Sequence, residues 1–143
     1  IIGAGRWGKN YIKTFNELDC KIKWICATKE STLKETLAKT KVNAITTKSY
    51  ADILKDKEVD AVAIATPGST HYKLAKEALQ ANKHVLVEKP LSFSSKNVEE
   101  LIRISNEKKK VLMAGHIHLF NPGVQRIKHD IDNGLFGKIN FIH

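Results

Sequence analysis

Ile1-Ile2-Gly3-Ala4-Gly5-Arg6-Trp7-Gly8 begins the chain. Two apolar β-branched residues run into Gly-x-Gly-x-x-Gly, and a helical pattern comes directly after, with Tyr11, Ile12, Phe15 and Leu18 on one apolar stripe. A strand, a glycine turn and a helix in that order can cradle a pyrophosphate. Gly3 would make the tight turn out of the strand, and Gly5 would let backbone approach the phosphates. Gly8 would let the helix pack against the strand. Arg6 and Trp7 lie within the motif as further candidate cofactor contacts, and the N–H groups and dipole of the helix N-terminus favour an anion. Glycines mark many tight turns, so the meaning of the motif depends on the rest of the chain.

From residue 22 onward, strand and helix patterns alternate regularly. Ile22-Lys23-Trp24-Ile25-Cys26 reads as a second strand, and Thr32-x-x-Glu35 as a capping box for a helix with Leu33 and Leu37 inward. Ala44-Ile45-Thr46 is a brief strand, and a short helix starts at Ser49. Val59 to Ala65 is apolar apart from Asp60, the pattern of a strand buried on both faces. After Thr66-Pro67-Gly68-Ser69 a helix turns Tyr72, Ala75, Ala78 and Leu79 inward. His84-Val85-Leu86-Val87 is the next strand, and Ser94 or Ser95 caps a helix with Val98, Leu101, Ile102 and Ser105 on one face. Val111 to Ala114 is a further strand. Pro122 begins a helix bearing Val124, Ile127 and Ile131, which Asn133-Gly134 ends. Strands alternating with helices require crossovers, hence a mainly parallel sheet covered on both faces: a doubly wound α/β fold.

Composition narrows the function. The chain has 143 residues, 42% hydrophobic and 27% charged, as expected of a globular domain. It contains no apolar run near the ~20 residues of a membrane span and no signal-peptide pattern, which points to the cytoplasm. Cys20 and Cys26 make neither a disulfide framework nor a metal quartet, and Cys26 reads as a small core residue. The net charge of +9 is shared about evenly between the two halves. Lys108-Lys109-Lys110 is the only basic run, and it closes a helix, where cations suit the carbonyl end. That distribution argues against a nucleic-acid binder and suits a field around an anionic cofactor or substrate. The chain lacks an initiator Met, and Ile139-Asn140-Phe141-Ile142-His143 alternates like a strand beginning, so the sequence is expected to belong to a longer protein.

Ligands bind beyond the carboxyl ends of parallel strands. Four polar clusters fall there: Ala27-Thr28-Lys29, Thr66-Pro67, Glu88-Lys89-Pro90 and Gly115-His116-Ile117-His118. An Asp or Glu after the second strand would read both ribose hydroxyls of NAD. Here Thr28 and Lys29 stand in its place, able to hold a 2′-phosphate, so NADP is favoured over NAD. The alternative makes Thr28 a helix cap and Lys29 a solvated surface residue. His116 and His118 alternate and would share one face of a strand, but nothing at ligand spacing supports a metal pair. Asn121 could hydrogen-bond substrate or cap the helix at Pro122. His84 and His129 read as structural or surface residues.

These motifs together resemble the N-terminal half of the Gfo/Idh/MocA family of sugar and inositol oxidoreductases. The matching stretches are Gly3 to Gly8, Val59 to Pro67 with His71 four residues on, Val87-Glu88-Lys89-Pro90-Leu91, and Gly115 to Pro122. The resemblance implies a Rossmann-type cofactor domain over residues 1–120. Residues 121–143 would be the connecting helix and first strand of a second, open-sheet domain. It implies that Lys89 is catalytic, beside the nicotinamide and the substrate hydroxyl. It places Ala65, Thr66, Pro67 and His71 along the cofactor, and Glu88 beside the lysine. Spacing alone would leave Glu88 and Lys89 as an exposed strand-end pair. Lys89 could polarise or orient a substrate oxygen and relay a proton, with His116, His118 and Asn121 as further substrate contacts.

In the family the second half covers the site, adds substrate contacts and a catalytic histidine, and usually forms the subunit interface. A homo-oligomer acting on a small carbohydrate-like substrate is therefore expected of the intact protein, with no nucleic-acid or membrane partner. The alternative is a dinucleotide-binding sensor or assembly domain without chemistry of its own.

Overall fold

The computed structural model describes residues 1–141. The five short strands among these residues are all parallel: β1 (Trp24–Cys26), β2 (Ile45–Thr47), β3 (Ala61–Ile64), β4 (His84–Val87) and β5 (Leu112–Ala114). β1 pairs with β2, and β3, β4 and β5 pair in that order. The opening residues join the two groups. Ile2 bridges Cys26 on one side and Ile64 on the other, through Ile2 N to Ala63 O (2.8 Å), Ala65 N to Ile2 O (2.7 Å) and Gly3 N to Cys26 O (2.8 Å). The order across the sheet is thus β2, β1, the opening segment, β3, β4, β5. The direction in which successive strands are added reverses at the opening segment, which is where such sheets leave a crevice.

Helices cover both faces. α1 (Arg6–Glu17) and α2 (Glu30–Thr40) seal one side around Ala4, Ile12, Ile25 and Leu33. α3 (Tyr50–Lys55), α4 (Gly68–Gln80) and α5 (Ser95–Lys108) seal the other around Ile2, Ile53, Ile64, Ala75, Leu79, Val85 and Leu101. Consecutive strand residues serve opposite cores, as Ile25 and Cys26 do, because the pleat alternates. A short 3₁₀ turn (Ile117–Phe120) leads into α6 (Pro122–Asp132).

Several local expectations are corrected. α2 starts three residues early, with Lys29 at its N-cap and the acidic Glu30 in its first turn, so Thr32 lies inside the helix and no capping box forms. Glu35 is drawn instead to Lys39 and Lys9, at 2.7 and 2.9 Å, and these hydrogen bonds hold its carboxyl down at about 2. Leu18 falls at the C-cap of α1 and is exposed. The inward face of α5 runs through Leu101 and Ile104, leaving Ile102 outside. On α6, Val124 and Ile127 are exposed, since the helix packs chiefly against the 3₁₀ turn. Residues 138–141 are not in a strand, and Ile142 and His143, the rest of the expected strand, lie outside the described residues. No helix among the described residues is long and apolar enough to cross a membrane.

Candidate functional site

The three glycines of the opening turn differ in what demands them. Gly3 has φ +92°, and a Cβ there would sit 2.6 Å from the carbonyl oxygen of Ala65. A Cβ on Gly8 would lie 1.8 Å from the carbonyl oxygen of Gly3. Both are fixed by the chain's own backbone. Gly5, the N-cap of α1, has φ −73°, and its Cβ would meet nothing within 4 Å. Neither conformation nor internal packing asks for glycine there, and its bare Cα leaves room for a bound group to approach the backbone closely. α1 also starts with no side-chain cap and no acidic residue in its first turn, so its N–H groups and dipole suit a phosphate. Arg6 and Trp7 are exposed on that turn. The residues present therefore fit a dinucleotide. From behind, the Thr36 hydroxyl donates to the Ala4 carbonyl (3.3 Å) and steadies the turn from α2.

The neighbouring strand ends lie along the same edge. Thr28 and Lys29 are exposed just beyond β1, and the cap of α2 falls at Lys29, so Thr28 does not cap it. Beyond β3, the Thr70 hydroxyl donates to the Pro67 carbonyl (2.7 Å), so the Thr66 hydroxyl is left to donate to Thr70 Oγ1 (2.7 Å). His71 is 1% exposed rather than open to a ligand. Its Nε2 stands 2.7 Å from Thr66 O and its Nδ1 2.7 Å from Pro90 O, so the ring struts the loops after β3 and β4 from below. The reason lies in its spacing: four residues before Ala75 on α4, it falls on the buried stripe.

Beyond β4, Glu88 is 7% exposed and Lys89 is exposed. Residues 1–141 therefore do not themselves desolvate the lysine. The Glu88 Oε1 accepts a hydrogen bond of 2.6 Å from the Tyr11 hydroxyl, and Oε2 accepts one of 3.3 Å from the Lys89 backbone N–H. Burial first, and then the carboxylate, push the Tyr11 phenol up, keeping it protonated as a donor. Beyond β5, His116 and His118 do not share a strand face. His116 caps the 3₁₀ turn and His118 lies within it, because β5 ends at Ala114. Both are exposed. Asn121 is the helix cap: its Oδ1 accepts from Gly123 N (2.9 Å) and Val124 N (3.1 Å). His84 is structural, its Nδ1 accepting from Val111 N at 3.0 Å.

The structure thus gathers the glycine turn, Thr66, Pro67, Glu88 and Lys89 at the crevice. Thr28 and Lys29 lie to one side of it, the two histidines lie beyond β5, and His71 lies underneath. Tyr11 and Thr36 escape a reading of the sequence, because each acts across a long separation and sits on a helix stripe that looks like ordinary core. Among the described residues, no group of three or more His, Cys, Asp or Glu is placed to hold a metal ion.

Residues 1–116 match the family model described as "Oxidoreductase family, NAD-binding Rossmann fold". The chain is 34% identical over 138 residues to the Bacillus subtilis "Uncharacterized oxidoreductase YrbE", covering 96% of this chain and 40% of that protein. It is 30% identical to the myo-inositol 2-dehydrogenase of Thermotoga maritima, covering 96% and 41%. Among solved structures, the WlbA dehydrogenase of Bordetella pertussis, in complex with NADH and UDP-GlcNAcA, superposes with TM-score 0.81 at 28% identity, over 96% of this chain and 40% of that one. The chain spans about 40% of the length of these relatives.

Proposed function

This chain belongs to the Gfo/Idh/MocA oxidoreductase family, and from that premise we propose that it is the cofactor-binding part of an NAD(P)-dependent dehydrogenase acting on a secondary alcohol of a sugar, inositol or nucleotide sugar. One observation carries the reading. A helix N-terminus kept clear by Gly5 and a lysine at the next strand end but one share a crevice, linked by the Tyr11–Glu88 hydrogen bond. The nicotinamide, when bound, supplies the hydride chemistry. Gly5, Arg6 and Trp7 would hold the phosphates, and Thr66 and Pro67 would flank the cofactor. Lys89 would hold the substrate oxygen and handle its proton. Thr28 and Lys29, which stand after β1 with the first carboxylate only at Glu30, would accept a 2′-phosphate, favouring NADP. Residues 121–143 would lead into a second domain that completes the site and joins subunits.

The test is a turnover assay on the intact protein, with NAD⁺ and NADP⁺ each offered against myo-inositol, scyllo-inositol, simple aldoses and UDP-linked sugars. Formation of reduced nicotinamide with at least one of these alcohols, faster with NADP⁺, is the expected result. Tight cofactor binding with no oxidation of any of them would overturn the enzyme reading in favour of a sensor domain.

A further inference from the structure

Tyr11 lies five residues, about 8 Å, along α1 from Arg6, on the helix whose first turn faces the crevice. Its hydroxyl crosses 77 residues of sequence to reach Glu88 Oε1 at 2.6 Å. Glu88 is not at liberty to face solvent, because the residue is buried and its second oxygen takes the backbone N–H of Lys89. Space for the pair is reserved from a third element. Gly115, just beyond β5, is buried, and a Cβ on it would come within 3.1 Å of the Tyr11 hydroxyl and 3.4 Å of Glu88 Oε1. A tyrosine on a helix stripe needs only its ring to fill a core, and this ring already rests against Phe15, with centroids 6.0 Å apart. The hydroxyl has a separate use.

We propose that Tyr11 is a positioning residue: by holding the Glu88 carboxylate it fixes the Glu88–Lys89–Pro90 turn against α1, and so sets where Lys89 stands relative to a group bound at the helix N-terminus. This rests on the reading of Lys89 as the residue that meets the substrate oxygen. Phosphate site and lysine are then held by one short bridge, and what it governs is their registry.

Tyr11→Phe keeps the ring and removes the bridge. In the intact protein, kcat is expected to fall about tenfold, the cost of one hydrogen bond to a carboxylate. Substrate KM and the Kd of the reduced cofactor should stay within about twofold. In a Glu88→Met background, which has no acceptor, Tyr11→Phe should have less than about a twofold further effect. Loss of ring packing would not vanish in this way. A kcat within twofold of the parent would overturn the proposal, as would a tenfold loss that persists in the Glu88→Met background. A parent that oxidises no alcohol with either cofactor overturns the function proposed above instead. Urea unfolding of the same four proteins then decides the bridge: non-additivity of about tenfold in the unfolding constant upholds it, and additivity overturns it.

Discussion

Gly8→Ala is expected to cost about 3 kcal/mol of stability or more and to abolish dinucleotide binding. A Cβ at this position would lie 1.8 Å from the carbonyl oxygen of Gly3 and 2.9 Å from its carbonyl carbon. Both obstacles are backbone, so no rotamer change relieves the overlap. The chain can respond only by moving α1 off the opening segment, and that segment is the hydrogen-bonded link between the two halves of the sheet. Gly5→Ala is the matched control. Its φ of −73° suits any residue and its Cβ enters open space, so the melting temperature should hold or rise slightly as the unfolded chain loses freedom. Thermal and urea unfolding of the two variants check the contrast. Equal stability of Gly8→Ala and parent would mean that the helix does not pack this closely.

Lys89→Met in the intact protein is expected to lower kcat/KM by about a thousandfold, within the range for loss of a group that handles a proton in the transition state. The side chain is exposed, so the melting temperature should move little. The cofactor Kd should also be nearly unchanged, because the phosphate-binding turn belongs to α1. Steady-state kinetics and cofactor fluorescence titration of the one variant separate these effects. Turnover close to that of the parent would remove Lys89 from the chemistry.

The fold was largely legible because its signals are periodic and local. Alternating strand and helix patterns, a glycine turn behind two β-branched residues, and polar clusters at strand ends need no partner to be recognised. The burial of His71 lies in its spacing, four residues before Ala75 on the buried stripe of α4, whereas the family resemblance places it along the cofactor. Asn121 stayed ambiguous because a cap and a ligand contact use the same amide, and geometry resolves it as a cap. The paired facing of His116 and His118 failed because β5 ends at Ala114 and the chain turns immediately into a 3₁₀ helix, which period-two reasoning does not foresee. Tyr11 and Glu88 meet across the sheet edge, a contact that only the parallel strand order brings about.

The central claim is that the glycine turn holds a dinucleotide, and the most direct measurement is a titration of parent and Gly5→Ala proteins with NADPH and NADH. It tracks reduced-cofactor fluorescence and the rise in melting temperature, which should correspond to about 2.7 kcal/mol of stabilisation at a hundredfold excess over Kd. The parent should bind both cofactors, NADPH more tightly, and Gly5→Ala should lose at least about tenfold in affinity for each while melting unaltered in their absence. Parent protein that binds neither cofactor, or Gly5→Ala protein that binds both as well as the parent does, would contradict the claim.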